Sequence, residues 1–297
     1  MQFDTVAIVG VGLIGGSIGM AIRKRRLARR VVGVGRQISS LNKARRLGAV
    51  DCGTTKLSQG VADAELVFFC TPVDRIVEQA QEAAVHCSPR TVLTDSGSTK
   101  ARIVSRLERG LPDGVSFIGS HPLAGSERSG VQEARADLFD GRVCVVTQTA
   151  RTPPAPLHRI EKFWQSLGSR VIRMFPEDHD RALAYTSHLP HLAAAALSVV
   201  LPEKYYEVVA SGFRDTTRIA ASDPDLWTAI FLENKGPLLD ALVDYESVLK
   251  EFRIALERAG KQRLRALWEE SKNRRNSVAE QENQKRIHVT RRRMPRS

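Results

Sequence analysis

His121 is the residue best placed by its neighbours to do acid–base chemistry. It lies in Ile-Gly-Ser-His-Pro-Leu-Ala-Gly-Ser-Glu, residues 118–127, just after a short apolar run at 115–118. Pro122 disfavours helical geometry at His121, which predicts an extended or turn backbone there. Gly119, Ser120, Gly125 and Ser126 leave room for a ligand to approach the main chain, which makes Gly125 and Ser126 candidate substrate contacts. An imidazole in such a loop is a natural general acid or base. The plainer reading is a hydrogen-bonded loop histidine with no chemistry.

Other reactive side chains recur along the chain. Asp95-Ser-Gly-Ser-Thr-Lys100 follows an apolar run; Ser98 could cap the next helix and Lys100 could be surface charge. His188 and His191 are three apart, hence on one helical face, and Pro190 between them is expected to kink the helix. They could line a pocket or be satisfied core histidines; no carboxylate stands at the usual partner spacing, so no metal site is assigned. Arg214 and Arg218 are four apart, and a guanidinium there can grip a carboxylate through two parallel hydrogen bonds. The alternative for Arg218 is an ion pair with Asp215 on a solvated face.

Positioning these groups requires a scaffold, and its first element is the most legible. A β-branched run at 4–9 leads into Gly10-Val-Gly12-Leu13-Ile14-Gly15, and a helix pattern follows. Strand, G-x-G-x-x-G and helix in that order is the dinucleotide-binding context. Gly10, Gly12, Leu13, Ile14 and Gly15 are therefore candidate cofactor residues, with the helix N-terminus offering N–H groups to phosphates. The second strand, 30–34, ends in Gly35-Arg36 where an NAD-binding chain usually carries an acidic residue. Arginine without that carboxylate suits a 2′-phosphate and points to NADP in preference to NAD; the plainer reading makes Arg36 a solvated charge. Strands are expected at 66–70, 91–94, 141–147 and 170–175, with helices at 76–84, 103–111 and 157–167. Gly10–Gly15, Thr71-Pro72, Asp95 and His121 all fall at strand C-termini, where a doubly wound sheet binds ligands. Thr71, Pro72 and Asp95 join the cofactor candidates on that ground. After Pro176 no strand pattern recurs. Asp223-Pro224 caps a helix, and Leu238, Leu242, Tyr245, Leu249, Phe252 and Leu256 form a heptad-like stripe that packs internally or makes a dimer seam. Gly260 is expected to end that helix.

The fold expected is an α/β, Rossmann-type doubly wound sheet followed by an all-helical dimerisation domain. Its divisions are 1–175 for dinucleotide binding, 176–271 for a helical substrate and dimerisation domain, and 272–297 for a basic, disordered tail. No apolar run is long enough to span a membrane. Neither a signal peptide nor a transit segment is expected, and four scattered cysteines read as reduced thiols in a cytoplasmic protein. The net charge of +12 could suggest nucleic acid, but the tail alone holds nine Lys or Arg against two acidic residues and lacks a recognised reading motif. The remaining modest excess suits an anionic small molecule.

Jointly, these motifs resemble the prephenate and arogenate dehydrogenases of tyrosine biosynthesis, from about Phe3 to Trp268. The glycine turn at 10–17, Asp95–Lys100 as D-x-x-S-x-K, Ser120–Gly125 as S/T-H-P-x-x-G, His179-Asp180, 187–191 and 212–218 carry the likeness. The resemblance implies that His121 is the catalytic base, with Ser98 its hydrogen-bonding companion at the substrate hydroxyl. It implies that Arg218 binds a substrate carboxylate, that His188 or His191 lines the pocket, and that the helical domain forms a homodimer. Gly35-Arg36 departs from NAD-specific members, and neither an ACT domain nor a fused chorismate mutase is expected. The competing readings are another two-domain NAD(P)-dependent β-hydroxyacid dehydrogenase, a silent NAD(P)-binding sensor, and a nucleic-acid binder acting through the tail.

Overall fold

A computed structural model describes residues 2–125 and 128–293. Its framework is a six-stranded parallel sheet in the order β3-β2-β1-β4-β5-β6, the doubly wound arrangement the alternating pattern predicts. The elements run β1 (Phe3–Val9), α1 (Leu13–Lys24), β2 (Ala28–Val34), α2 (Ile38–Arg46), β3 (Cys52–Thr54) and α3 (Leu57–Val61). They continue β4 (Leu66–Phe69), α4 (Val73–Ala84), β5 (Val92–Asp95), α5 (Ala101–Leu107) and β6 (Ser116–Ile118). Alternation along each strand sends its side chains to two cores. Val6, Ile8 and Phe68 pack with Ile18 and Ile22 of α1, while Ala7, Val9, Val67 and Phe69 pack with Ile76 and Ala80 of α4 and Ile103 of α5. Burial on both faces is why these strands read as continuous apolar runs.

After β6 the chain turns at Gly119, where a Cβ would press on Val104 and the Lys100 side chain. It enters a second, three-stranded sheet made of β7 (Ser120–Pro122), β8 (Val143–Thr147) and β9 (Arg170–Met174), with α6 (Pro154–Ser166) between the last two. β7 runs antiparallel to β8, and β9 parallel to it. The sequence pattern gave no sign that strands 143–147 and 170–174 leave the main sheet. His121 thus sits in an extended strand opposite Val145.

From Pro176 the described residues are helical: α7 (Pro176–Leu183), a π-type turn at Ala184–His188, α8 (Leu189–Val200), α9 (Ser211–Thr217) and α10 (Pro224–Glu233). Pro190 lies in the first turn of α8, where its missing N–H costs nothing, and the wider turn before it accommodates the ring in place of a sharp kink. Asp223 caps α10 as expected, its Oδ1 accepting the N–H groups of Asp225 (2.9 Å) and Leu226 (3.1 Å).

By packing, the chain forms two compact units, residues 1–239 and 240–297. Within the first, Asp180 accepts the N–H groups that open α5, and Glu233 pairs with Arg102 on α5, so α7 and α10 are bonded to that helix. The second unit takes in most of α11 (Lys235–Glu257) together with α12 (Lys261–Arg293). Ala259, not Gly260, adopts the left-handed conformation (φ +48°) that closes α11, and the Gly260 N–H bonds the Ala255 carbonyl. The basic segment from Lys272, expected to lack regular structure, continues α12 as far as Arg293. Charge pairs one turn apart, Arg265–Glu269 and Glu270–Arg274, support the described part of that helix.

Candidate active site

The dinucleotide turn has the three glycine environments its chemistry requires. A Cβ on Gly10 (φ +91°) would lie 2.8 Å from the Cys70 carbonyl, and one on Gly15 would collide with the Gly10 carbonyl and Ile8. A Cβ on Gly12 would meet nothing within 4 Å. The first and third glycines are thus needed for packing, and the middle one opens onto free space where a pyrophosphate can approach. Gly12 precedes α1 without a side-chain cap, and no acidic residue occupies the first turn, so the N–H groups near Leu13 and Ile14 remain suited to an anion. The turn fits the group the fold implies. At the end of β2, Gly35 is followed by an exposed Arg36; Lys43 donates to Gln132 Oε1 (3.0 Å). Thr71 is half-buried and its hydroxyl donates to Gln79 Oε1 (2.6 Å), while Pro72 leads into α4.

Asp95 does not face a cofactor with its carboxylate. The group is fully buried, accepting the Ser120 N–H (3.0 Å) and Gly97 N–H (2.8 Å) and pairing with Lys100 Nζ. Lys100 is itself wholly buried, which corrects its reading as a surface charge. The pair fixes the loop after β5 to the start of β7, assisted by Ser120 Oγ–H donating to the Asp95 carbonyl (2.5 Å). Ser98 is half-buried on that loop and does not cap α5, which begins three residues later with Lys100 at its cap position.

His121 leaves this clamp as the next residue, half-buried. Its Nδ1 lies 2.9 Å from Nε2 of His179, and Nδ1 of His179 lies 2.7 Å from Asp180 Oδ1. Asp180 Oδ1 also accepts the Lys100 N–H (2.7 Å), and its Oδ2 the Ala101 N–H (2.8 Å). Burial, then the neighbouring His179, Lys100 and His188, hold the His121 imidazole well below the usual histidine range. These surroundings favour the neutral ring, which has a lone pair to offer a proton donor.

A second histidine is arranged the other way round. Asn234 Nδ2 donates both to the Asp180 carbonyl (2.8 Å) and to His188 Nδ1 (2.9 Å). With Nδ1 accepting, the proton of neutral His188 must be on Nε2, and that nitrogen is buried without a partner among the described residues. Burial lowers the His188 pKa to about 4. His191 donates Nδ1–H to the Ser187 carbonyl (2.9 Å) and stacks on Trp227 with ring centroids 3.5 Å apart. Burial chiefly, and positive Arg218 nearby, lower its pKa against the pull of that carbonyl. Arg218 opens a short 3-10 turn after α9, so it and Arg214 do not share one continuous helix face; Arg214 Nη2 donates to the Val209 carbonyl (3.1 Å). A Cβ on Gly125 would meet nothing within 4 Å, in keeping with room for a ligand. Ser126 lies outside the described residues.

The candidate site therefore gathers His121, His179, Asp180, His188, His191 and Arg218. Ala124, just past His121, packs on the same core as Val11, Leu13 and Ile14. Trp227 and Asn234 escaped the sequence reading. They come from α10 and the residue after it, and the only signal for either was the rarity of an asparagine buried in a helical stretch.

Residues 18–173 match the prephenate dehydrogenase nucleotide-binding domain, and residues 175–270 the prephenate dehydrogenase dimerization domain. The chain belongs to the prephenate dehydrogenase family. It is 32% identical over 282 residues to the prephenate dehydrogenase of Bacillus subtilis (strain 168), covering 93% of this chain and 76% of that protein. It is 34% identical to the cyclohexadienyl dehydrogenase of Zymomonas mobilis, over 86% of this chain and 89% of that one. Among solved structures, prephenate dehydrogenase from A. aeolicus in complex with hydroxyphenyl propionate and NAD+ superposes with a TM-score of 0.87. It shares 32% identity, covering 94% of this chain and 99% of that one. Family members are NAD-dependent oxidoreductases, and the matched residues include the His121 strand and the helices from Pro176 onward. No helix among the described residues is long and apolar enough to cross a membrane.

Proposed function

We propose that the chain is a prephenate dehydrogenase, converting prephenate oxidatively to 4-hydroxyphenylpyruvate and CO₂. The observation that carries this reading is an imidazole, His121, with one nitrogen engaged by His179, just past the end of β6 in a parallel sheet whose β1 ends in a glycine turn open for a dinucleotide. The bound nicotinamide supplies the hydride acceptor. The residues do the rest. His121 takes the proton of the ring hydroxyl as that carbon gives up its hydride, and loss of the ring carboxylate as CO₂ makes the ring aromatic. Ser98, from the loop after β5, is assigned a hydrogen bond at the same hydroxyl. A positioned base contributes about 10²–10⁴-fold, and holding the hydride-bearing carbon in line contributes further.

Arg218 is assigned the side-chain carboxylate. Gripping the ring carboxylate would stabilise the ground state against the departure that must follow. The buried N–H of His188 supplies a second donor, and His191 with Trp227 forms an aromatic wall. Arogenate, which carries an amine in place of the keto group, is the alternative substrate, supported by the likeness to a cyclohexadienyl dehydrogenase. NADP+ is the assigned cofactor in preference to NAD+, because Arg36 follows Gly35 with no carboxylate in the stretch. The enzyme is read as a homodimer through its helical domain, supported by the dimerization-domain match and by Tyr245, Leu249 and Leu256 exposed along α11. The reading places it in the cytoplasm, where its four unpaired cysteines would stay as thiols.

The test is nicotinamide reduction followed by absorbance, with prephenate and arogenate each paired with NAD+ and NADP+. Reduction with prephenate and NADP+ is expected to have the highest kcat/KM. His121→Asn should abolish most turnover while cofactor affinity is unchanged. No reduction with either substrate, or near-normal turnover in the variant, overturns the reading.

A further inference from the structure

We propose that Asp180 and His179 act as positioning residues that fix the proton of His121 on Nδ1, leaving Nε2 bare as the base. The inference rests on the reading of His121 as the proton acceptor and adds what prepares it.

The hydrogen bonds are fixed in direction from their most constrained end, Asp180. Asp180 is buried and receives two main-chain N–H groups, those of Lys100 and Ala101, whose direction cannot be reversed. Each of its oxygens accepts a main-chain N–H, so the carboxylate serves as an acceptor here. His179 Nδ1, 2.7 Å from Oδ1, must therefore carry the proton. A neutral imidazole has a single N–H, so Nε2 of His179 is an acceptor. His121 Nδ1, 2.9 Å away, has to donate to it. Neutral His121 then has no proton on Nε2. Reversing the order at any one position would set two donors or two lone pairs against each other in a buried site, at a cost of about 1–3 kcal/mol for an unsatisfied group.

This order holds with His179 neutral, and its surroundings favour that form: the ring is fully buried, and the positive Lys100 opposes a charge on it while Asp180 and Asp95 attract one. Burial outweighs the attraction of Asp180 and lowers its pKa. The groups facing this chain are Lys100 and Asp95 from the loop after β5, His188 from the π-type turn and Asp180 from α7 itself. During the reaction the substrate O–H bond breaks and an N–H bond forms on His121 Nε2. The ring becomes an imidazolium whose Nδ1–H bond to His179 strengthens with the charge. Asp180 lies behind both rings to offset that charge. The contrast with His188 is instructive, because Asn234 imposes the opposite tautomer there and makes it a donor.

The direct measurement is the ¹⁵N spectrum of the full-length enzyme with labelled histidine, His121 being assigned by comparison with His121→Asn. The expected spectrum shows His121 protonated at Nδ1 and bare at Nε2, and a proton on Nε2 overturns the proposal. The kinetic arm uses His179→Leu and His179→Gln. Leucine removes the acceptor and should lower kcat by about 10²-fold with KM and cofactor affinity little changed. Glutamine can accept from His121 through its oxygen while its amide donates to Asp180, so it should recover most of the loss. Equal kcat in wild type and His179→Leu refutes the role, as does a glutamine variant as poor as leucine with the same thermal midpoint. If the tautomer is as stated but neither prephenate nor arogenate reacts, the assigned function fails and the positioning chain stands. If the substrates react and Nε2 carries the proton, the reverse holds.

Discussion

Acid should unfold this enzyme partly through His188, and the size of the effect follows from its surroundings. In the folded chain its pKa is about 4, lowered chiefly by burial, against 6.5 for a free side chain. Below 6.5 the unfolded chain takes up a proton that the folded chain refuses, so stability falls as the pH drops towards the folded value. The full difference is worth about 3 kcal/mol, of which about 2–3 kcal/mol is lost between about pH 7.5 and about pH 4.5. His188→Gln removes the titration while its side-chain oxygen can still accept from Asn234. The assay is urea unfolding of wild type and variant at matched protein concentration across that pH range. The variant is expected to be less stable at neutral pH, because its fit is imperfect, and to lose about 2–3 kcal/mol less on acidification. Curves that run parallel would show that His188 is not held neutral, and the tautomer assigned to it through Asn234 would fall with that result.

Two further outcomes test the two halves of the site. Arg218→Ala should raise KM for the substrate by roughly 10–10²-fold, the effect of losing a charged hydrogen-bonded anchor of about 1.5–3 kcal/mol, with a smaller change in kcat; an unchanged KM refutes the anchor role. Gly15→Ala should weaken dinucleotide binding by forcing α1 away from β1, since the added Cβ meets the Gly10 carbonyl and Ile8. Calorimetric titration showing wild-type cofactor affinity in that variant would remove the glycine turn from the cofactor site.

The parts of the site that local sequence could specify were those held by local geometry. Gly10, Gly12 and Gly15 announce themselves because each spacing answers a separate steric need over six residues. His121 stood out because proline and glycine flank it. Asp95 and Lys100 misled for the opposite reason. Nothing in a short polar motif says whether its charges turn inward, and here the two neutralise each other in full burial. Asn234 was invisible because its partners, Asp180 and His188, lie 54 and 46 residues away. The second sheet was hidden by the same limitation, since strand patterns do not reveal which neighbours they pair with.

Asp180 joins the helical half to the start of α5 through two main-chain N–H groups, and each bond to a charged acceptor is worth about 1.5–3 kcal/mol. Swinging α7 away from the sheet would strand that carboxylate in a dry cleft and release His121 from its brace in the same movement. A hinge at residues 175 and 176, natural as that linker looks, would therefore undo the brace proposed for His121 each time it opened. On the proposed roles, any motion that admits substrate has to leave this joint intact.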